Sequence, residues 1–237
     1  MQIGGFVKNS FVDYPGLISC CVFVVGCNFN CWYCHNSHLL KDNNTLIDEK
    51  TIFEFLSSHK SFIDAVVVSG GEPTLQKDLK EFLQKIKVLN YKIKLDTNGS
   101  DYKVLKDIVE SGLVDYVAMD IKAPLTKYKD IVCQNIDVTN VHMSISYLLN
   151  SKIDYEFRTT FSSDLTVDDI KQIINTIQGA KNYSLQKCRV EFLNKNVGEA
   201  KLKTKLGLKE HGKQEVDELL IFAKNKVKNF VVKGFAW

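Results

Sequence analysis

Proline is scarce in this sequence, with 3 among 237 residues, and no stretch rich in Gly, Ser or Pro marks a linker. We therefore predict a single domain over residues 1–237, with a core at about residues 15–190 and a C-terminal extension over 191–237. Hydrophobic residues make up 45% of the chain and aromatic residues 11%, a composition that excludes a disordered protein.

Long hydrophobic runs are missing as well. The longest, LISCCVFVVGC, is far too short to span a bilayer. The N-terminal stretch MQIGGFVKNSFVDYPG lacks the basic region, apolar run and small-residue cleavage site of a signal peptide. These features predict a cytoplasmic protein without a membrane partner.

Strong charge of one sign is absent. The net charge of +3 is too weak to indicate nucleic-acid binding. The segment from Lys195 to Trp237 is more basic, with ten lysines against five acidic residues. A Lys-rich end of this kind fits a solvated helix face, a lid, a docking surface for an acidic partner or a cap on an open sheet edge.

Cysteine is present in an unusual distribution. The chain has seven cysteines, an odd number, and in a reducing compartment we expect no framework of disulfides. Three of them, Cys27, Cys31 and Cys34, lie within the stretch GCNFNCWYCHN at residues 26–36. Buried free thiols are ordinary packing residues, and that interpretation serves for the rest: Cys20, Cys21, Cys133 and Cys188.

Several kinds of metal site are compatible with the cysteine triplet. A structural zinc site needs four ligands, but only one C-x₂-C pair is present and His35 follows Cys34 too closely. A ferredoxin-like electron carrier needs a fourth local cysteine. A binding module without catalysis is a third possibility. Three thiolates on a cluster of four irons would leave one iron without a protein ligand, and a substrate could bind there.

The rest of the chain alternates short β-rich runs with amphipathic segments. Six βα repeats with nearly continuous apolar strands are typical of an α/β fold with a parallel sheet covered by helices. Polar residues cluster where three strands end, in SGGE, DTNG and DIK. Each stretch alone fits an ordinary turn, but together they predict a ligand site along one rim.

The sequence resembles the radical S-adenosylmethionine (SAM) enzymes. The motif CNFNCWYC carries the resemblance, and FVDYPG, VSGGEPTLQ, KLDTNG, VDYVAMDIKAP and YEFRTT support it. Within this family the chain is most similar to glycyl-radical-enzyme activases of the pyruvate formate-lyase activating type. Among these activases, it is most like the activating proteins of anaerobic ribonucleoside-triphosphate reductase. The resemblance implies a partial (β/α)₆ TIM-type barrel.

The resemblance also implies a role for each residue of the motifs. Cys27, Cys31 and Cys34 match the ligands of a 4Fe–4S cluster, and SAM is the missing ligand of the open iron. Tyr33 matches an aromatic residue that contacts the adenine. The residues that match the motif for the SAM amino group are Ser69, Gly70, Gly71 and Glu72.

Four further strand ends carry matching residues. Relatives bind a monovalent cation beside the SAM carboxylate with positions that correspond to Asp96, Thr97, Met119 and Asp120. Lys122 matches a partner of a SAM carboxylate, and Arg158 a strand arginine near SAM. The remaining candidate contacts to SAM are Asn98 and Gln186. The alternative is structural: strand-end capping by the acids, a solvated Lys122, and an ion pair for Arg158.

The reaction implied is the reductive cleavage of SAM, followed by removal of a hydrogen atom from a glycine of a partner glycyl radical enzyme. The cofactors carry this chemistry, so no catalytic side chain is predicted. No cysteine occurs between Cys34 and Cys133, so we expect one cluster and a flavodoxin- or ferredoxin-type electron donor. Two alternatives remain, namely activation of a different glycyl radical enzyme and a small-molecule reaction like that of 7-carboxy-7-deazaguanine synthase.

Overall fold

The computed structural model describes residues 1–40, 45–189 and 211–235. Within these ranges the strands are β1 (Ile3–Ser10), β2 (Ser19–Val24), β3 (Ala65–Gly70), β4 (Lys92–Thr97), β5 (Tyr116–Asp120), β6 (Asp154–Phe161), β7 (Asn182–Lys187) and β8 (Asn229–Lys233). The helices are α1 (Glu49–Ser58), α2 (Leu79–Val88), α3 (Tyr102–Glu110), α4 (Tyr128–Val132), α5 (Val138–Asn150), α6 (Val167–Thr176) and α7 (Lys213–Ala223).

The strands follow one another in chain order, from β1 to β8. The pairs β2–β3, β3–β4, β6–β7 and β7–β8 are parallel, whereas β1 runs antiparallel to β2. Among the described strands, β1 and β8 are the two ends of this order, so the sheet is not closed. The mostly parallel α/β sheet expected from the sequence is therefore confirmed, and it fits a partial barrel.

The strand β1 was not among the predicted elements. Its sequence IGGFVKNS contains two adjacent glycines, which weaken the strand signal, and only its two end residues are buried. The pairing with β2 is irregular, with register shifts between Ile3 and Gly5 and between Val7 and Ser10. Pairing with β2 thus holds a segment whose own sequence favours a strand only weakly.

The chain forms two compact units. The first consists of Met1–Asn28, His38–Thr97 and Asp101–Ala118, and the second of Phe29–Ser37, Asn98–Ser100 and Met119–Trp237. The prediction of a single domain remains a prediction. A core cluster of the first unit takes alternate residues from its strands, as a period of two requires: Cys21 from β2, Ala65 and Val67 from β3, and Tyr116 and Ala118 from β5, with Tyr14 packed beside them.

In the second unit, aromatic side chains of β6, β7 and β8 pack together. The rings of Tyr155 and Phe157 lie 5.2 Å apart, and Tyr183 stacks on Phe230 at 5.1 Å between centroids. Burial of large rings removes much apolar surface from water and is a main source of stability in such a sheet.

Helix boundaries follow from local capping. Asp48 caps α1 by accepting from the Lys50 amide at 2.9 Å, and Thr166 forms a capping box at the start of α6. Gly112 follows α3 with φ +66°, a conformation that glycine adopts without strain. The sequence itself predicts these three helix ends, because Asp and Thr favour the position just before a helix and Gly the position just after one.

The stretches KQEVDELLIFAKNKV and NFVVKGF predict a C-terminal helix and a final strand, and these are present as α7 and β8. The basic stretch between them and β7, from residue 190 to residue 210, lies outside the described residues. No described helix is both long enough and apolar enough to cross a membrane.

Candidate functional site

In the first unit, the turn after β3 packs directly on the segment that leads into Cys27. A Cβ on Gly70 would lie 2.3 Å from the Val24 amide nitrogen, and a Cβ on Gly71 would lie 2.0 Å from the Gly26 carbonyl oxygen. The Gly71 amide donates to the Val24 carbonyl at 2.8 Å. Both positions therefore require glycine, because any side chain would push the two backbones apart.

Glu72, the acid of this turn, is a buried acceptor with 1% exposure. Its Oε1 accepts from the Thr74 amide at 3.1 Å, from Thr74 Oγ1 at 2.6 Å and from Thr97 Oγ1 at 2.7 Å. Glu72 thus ties the turn after β3 to the end of β4. Its contact with the SAM amino group, and those of Ser69 and Thr97 with SAM, remain predictions.

The end of β4 carries a second pair of polar contacts. Asp96 Oδ2 accepts from Ser69 Oγ at 3.1 Å, and Asp96 Oδ1 lies 3.1 Å from Lys94 Nζ. The Lys94 side chain is 3% exposed and also donates to the Asp13 carbonyl oxygen. Lys94 was not singled out from the sequence. The available signal was a lysine inside a buried strand, two positions before a candidate acid.

The FVDYPG stretch supplies the neighbours of this lysine. The Asp13 carboxylate accepts from Ser10 Oγ at 2.5 Å and from Cys21 Sγ at 3.1 Å. Burial raises the pKa of the Cys21 thiol, and the nearby Asp13 carboxylate raises that pKa further. Cys21 is therefore a protonated packing residue, as the sequence suggested.

In the second unit, Cys31 and Cys34 belong to one tight turn. The Cys34 amide donates to the Cys31 carbonyl at 3.1 Å, and the Asn30 amide donates to the Val132 carbonyl at 2.9 Å. Among the cysteines, Cys31 is buried, whereas Cys34 and Cys27, the latter in the first unit, are half-buried. None of the three forms a disulfide.

Trp32 anchors this loop. Its side chain is 1% exposed, and its Nε1 donates to Asp164 Oδ2 at 2.8 Å. Asp164 follows β6 and was missed by the sequence analysis, because nothing local marks an acid in the stretch SSD as a partner of a residue so far away. The contact fixes the residue between two proposed ligands.

Tyr33 lies next in the loop, and its ring is 5.5 Å from that of Trp32. The Tyr33 hydroxyl is buried and has no hydrogen-bond partner among the described residues. Burial raises the pKa of Tyr33, and neighbouring Cys31 and Cys188 act in the same direction. A buried hydroxyl of this kind fits a place beside a ligand, since such a group is costly to leave unpaired.

Asp120 lies between two cations in the second unit. Its Oδ1 accepts from Arg158 Nε at 2.8 Å and its Oδ2 from Lys122 Nζ at 2.9 Å. Burial would raise the pKa of Asp120, but Arg158 and Lys122 outweigh burial and hold this pKa far below its usual range. The structure therefore brings together three residues that the sequence had nominated separately, and the group carries a net positive charge.

Lys122 also lies close to the cysteine turn. Burial alone would lower the pKa of Lys122, but Asp120, Cys31 and Cys34 raise it above its usual value. Burial raises the pKa of Cys34, an effect that Lys122 and the Asn36 amide partly offset. Cysteine thiols beside a half-buried ammonium fit an iron–sulfur cluster, since the ligands must be thiolates and a nearby positive charge favours the thiolate form.

The other candidates have local roles. Asn98 Oδ1 accepts from the Ser100 amide at 2.9 Å, which closes a turn after β4. Gln186 lies near the end of β7, in register with Thr160 and Lys233. Among the described residues, no three His, Cys, Asp or Glu side chains are arranged to hold a metal ion. The assignment of the cysteine triplet as cluster ligands thus remains a prediction.

The two candidate acids do not fit a monovalent cation. In the first unit, Asp96 is paired with Lys94; in the second, Asp120 is paired with Lys122 and Arg158. Each carboxylate thus already has a lysine or arginine partner, and a metal ion would add to the positive charge already there.

Comparison with known proteins gives the family. The family model described as "Radical SAM superfamily" matches residues 21–177, which is more than half of the chain. The chain belongs to the radical SAM superfamily. Enzymes of this superfamily use a 4Fe–4S cluster and SAM, so the predicted enzyme class and these two cofactors are confirmed.

Two relatives of this radical SAM protein are informative. A candidate glycyl-radical enzyme activating enzyme of Methanocaldococcus jannaschii, MJ1227, is 32% identical over 98% of this chain and 95% of its own. The 7-carboxy-7-deazaguanine synthase of Koribacter versatilis is 24% identical over 65% of this chain and 65% of its own.

A solved structure supports the fold. Streptococcus suis SuiB, bound to its precursor peptide SuiA, matches with a TM-score of 0.66 at 12% identity. The match covers 89% of this chain and 47% of SuiB, so the radical SAM protein spans about half the length of that structure. At this identity the likeness concerns the fold alone.

Proposed function

We propose that this radical SAM enzyme is an activase that removes a hydrogen atom from a glycine Cα of a partner glycyl radical enzyme. The observation that carries the proposal is the 32% identity with the candidate activase of M. jannaschii over 98% of this chain and 95% of that one. Because the radical SAM family model ends at residue 177, this match extends into a part of the chain that the common core does not include.

The proposed partner is anaerobic ribonucleoside-triphosphate reductase. The stretches FVDYPG, VSGGEPTLQ and VDYVAMDIKAP, which resemble the activating proteins of that enzyme, support this choice. The sequence contains one cysteine triplet and no second cluster motif, so electrons are proposed to come from a flavodoxin- or ferredoxin-type protein.

The residues of the chain have distinct proposed roles. Cys27, Cys31 and Cys34 would hold the cluster, and the positively charged group of Asp120, Lys122 and Arg158 would bind the SAM carboxylate. Two half-buried cations around a single acid suit an anionic ligand, because each can add a charge-assisted hydrogen bond. The bound cluster and SAM supply the electron and the organic radical that the reaction consumes.

A small-molecule reaction is the second candidate. The similarity to 7-carboxy-7-deazaguanine synthase favours it, but at 24% identity over 65% of each chain the match is weaker and shorter. An enzyme of that kind needs a second polar pocket for its substrate, and the sequence offers no obvious one.

The test is anaerobic reconstitution with iron and sulfide, followed by reduction with dithionite in the presence of SAM. With the anaerobic ribonucleoside-triphosphate reductase of the same organism, we expect 5′-deoxyadenosine and a glycyl doublet in electron paramagnetic resonance. The variant Cys31→Ala should abolish both signals. The matched control is Cys133→Ala, which removes a half-buried thiol outside the triplet and should keep both signals.

The outcomes separate the candidates. SAM cleavage without any glycyl signal, across a panel of glycyl radical enzymes, would exclude the activase and favour the small-molecule reaction. A glycyl signal on a different member of the panel would correct the partner and retain the activase. No 5′-deoxyadenosine under any condition would exclude both.

A further inference from the structure

The acids at the ends of β4 and β5 pair with lysine and arginine side chains, and these pairs support an inference beyond the proposed function. The resemblance to glycyl-radical-enzyme activases implies a monovalent cation beside Asp96 and Asp120, yet both carboxylates of this chain pair with cationic side chains. The two acids belong to different units, so each is considered with its own partners.

In the first unit, the decisive residue is Lys94. Its ammonium lies 3.1 Å from Asp96 Oδ1, and its side chain is almost completely buried. It also donates to the Asp13 carbonyl oxygen. A carboxylate oxygen and a backbone carbonyl are the kind of oxygen ligands that a hard cation prefers, and here an ammonium group binds them instead.

Because the Lys94 side chain is buried, its ammonium is not readily replaced by a metal ion from solution. A charged lysine inside a protein is costly unless it is paired, and the Lys94 ammonium is paired with the Asp96 carboxylate and the Asp13 carbonyl oxygen. A metal ion on the same carboxylate would place a second positive charge within a few ångströms of the first, in a site with little solvent to screen the repulsion.

In the second unit, Asp120 is paired more fully. Its two oxygens accept from Arg158 and Lys122 at 2.8 and 2.9 Å, and this group already has one positive charge in excess. An added cation would raise that excess, whereas an anionic ligand would lower it.

We propose that Lys94 is a built-in substitute for a metal cation at Asp96, and that the chain binds SAM without any monovalent ion. This proposal rests on the placement of Asp96 in the SAM site, which is itself proposed. Lys94 is a positioning residue in this account: it holds the Asp96 carboxylate, which in turn accepts from Ser69 Oγ.

The test measures binding and stability, with no turnover. The reconstituted protein is equilibrated with SAM in KCl, NaCl or tetramethylammonium chloride at equal ionic strength, and the dissociation constant and Tm are measured in each. For the wild-type chain we expect both quantities to be the same in the three salts, with dissociation constants within about twofold. A loss of affinity of about fivefold or more in tetramethylammonium chloride would overturn the proposal.

Variants supply the second arm. Lys94→Met removes the ammonium and keeps the bulk, so the affinity for SAM should become about tenfold weaker in tetramethylammonium chloride than in KCl. The matched control is Lys92→Met, on the same strand, where the lysine is 61% exposed and paired with Asp115; it should stay insensitive to the salt. If Lys94→Met proves equally insensitive, the ammonium is no substitute and the proposal is wrong.

If Lys94→Met folds poorly, the salt series on the wild-type protein still decides the question. Lys94→Gln, which keeps a hydrogen-bond donor, is a milder substitution for the same test. The outcome is also independent of the partner protein. Failure to form a glycyl radical would overturn the proposed function alone, whereas salt-dependent binding of SAM would overturn this inference alone.

Discussion

Replacing Asp164 by alanine tests how the cysteine turn is held. The substitution removes the acceptor that lies 2.8 Å from Trp32 Nε1. Trp32 is almost fully buried, so its indole N–H would lose a charged acceptor without access to water. A hydrogen bond to a charged group contributes about 1.5–3 kcal/mol, and an unsatisfied buried donor costs about 1–3 kcal/mol.

We therefore expect Asp164→Ala to lower the free energy of unfolding by about 2 kcal/mol, which is about 30-fold in the folding equilibrium. Asp164→Asn retains an acceptor oxygen and should cost less than about 1 kcal/mol. The control is Asp168→Ala, a nearby acid with 84% exposure and a loose 3.6 Å pair to Lys171, which should change stability by less than about 0.5 kcal/mol.

The assay is urea unfolding of the cluster-free protein under reducing conditions, followed by tryptophan fluorescence. The chain has two tryptophans, so a Trp237→Phe background isolates the signal of Trp32. Iron bound per chain after reconstitution is the second readout, and it should fall in Asp164→Ala because the loop between the proposed ligands is less ordered. If Asp164→Ala matches Asp168→Ala in both readouts, the anchoring role is refuted.

Two further substitutions test the strand ends. Glu72→Ala leaves the hydroxyls of Thr74 and Thr97 without their shared acceptor and should cost about 3 kcal/mol in urea unfolding. The exposed Glu81→Ala should cost less than about 0.5 kcal/mol, and equal losses would contradict the role of Glu72. The depressed pKa of Asp120 makes it a source of stability at pH values above about 4, the ordinary range for a free carboxyl, and this stability is lost as the pH falls further. Asp120→Asn should therefore be less stable than the wild type at pH 7, and the gap between the two unfolding free energies should narrow below about pH 4; a constant gap would show that Asp120 titrates normally.

Local signals in the sequence predicted most of the described strands and helices, with β1 and the short helix α4 as exceptions. The apolar runs of β2 to β7 and the amphipathic helices between them follow from hydrophobic periodicity, which depends only on neighbouring residues. The caps at Asp48, Gly112 and Thr166 are likewise local, because a cap bonds to backbone groups within a few residues. The strand β1 lacked such a signal, and only its pairing with β2 reveals it.

The candidate site was likewise predicted from the sequence only in part. The cysteine motif and the strand-end motifs carry the resemblance from which a radical SAM enzyme was predicted, and the three proposed ligands of that motif lie within eight residues. The glycines of the turn after β3 were assigned to SAM binding, whereas the structure shows that they are also required by close backbone packing against residues 24 and 26.

The sequence by itself determined the order of strands and helices, the helix caps and the motifs that carry the chemistry, because each depends on residues close together in the chain. Only the tertiary structure decided which polar and charged side chains contact one another. Trp32 and Asp164 are 132 positions apart, and Asp120 and Arg158 are 38 apart. Neither pairing leaves a trace in local composition. Lys94 is close to Asp96 in the sequence, but only the structure shows that its side chain is buried and paired with that acid.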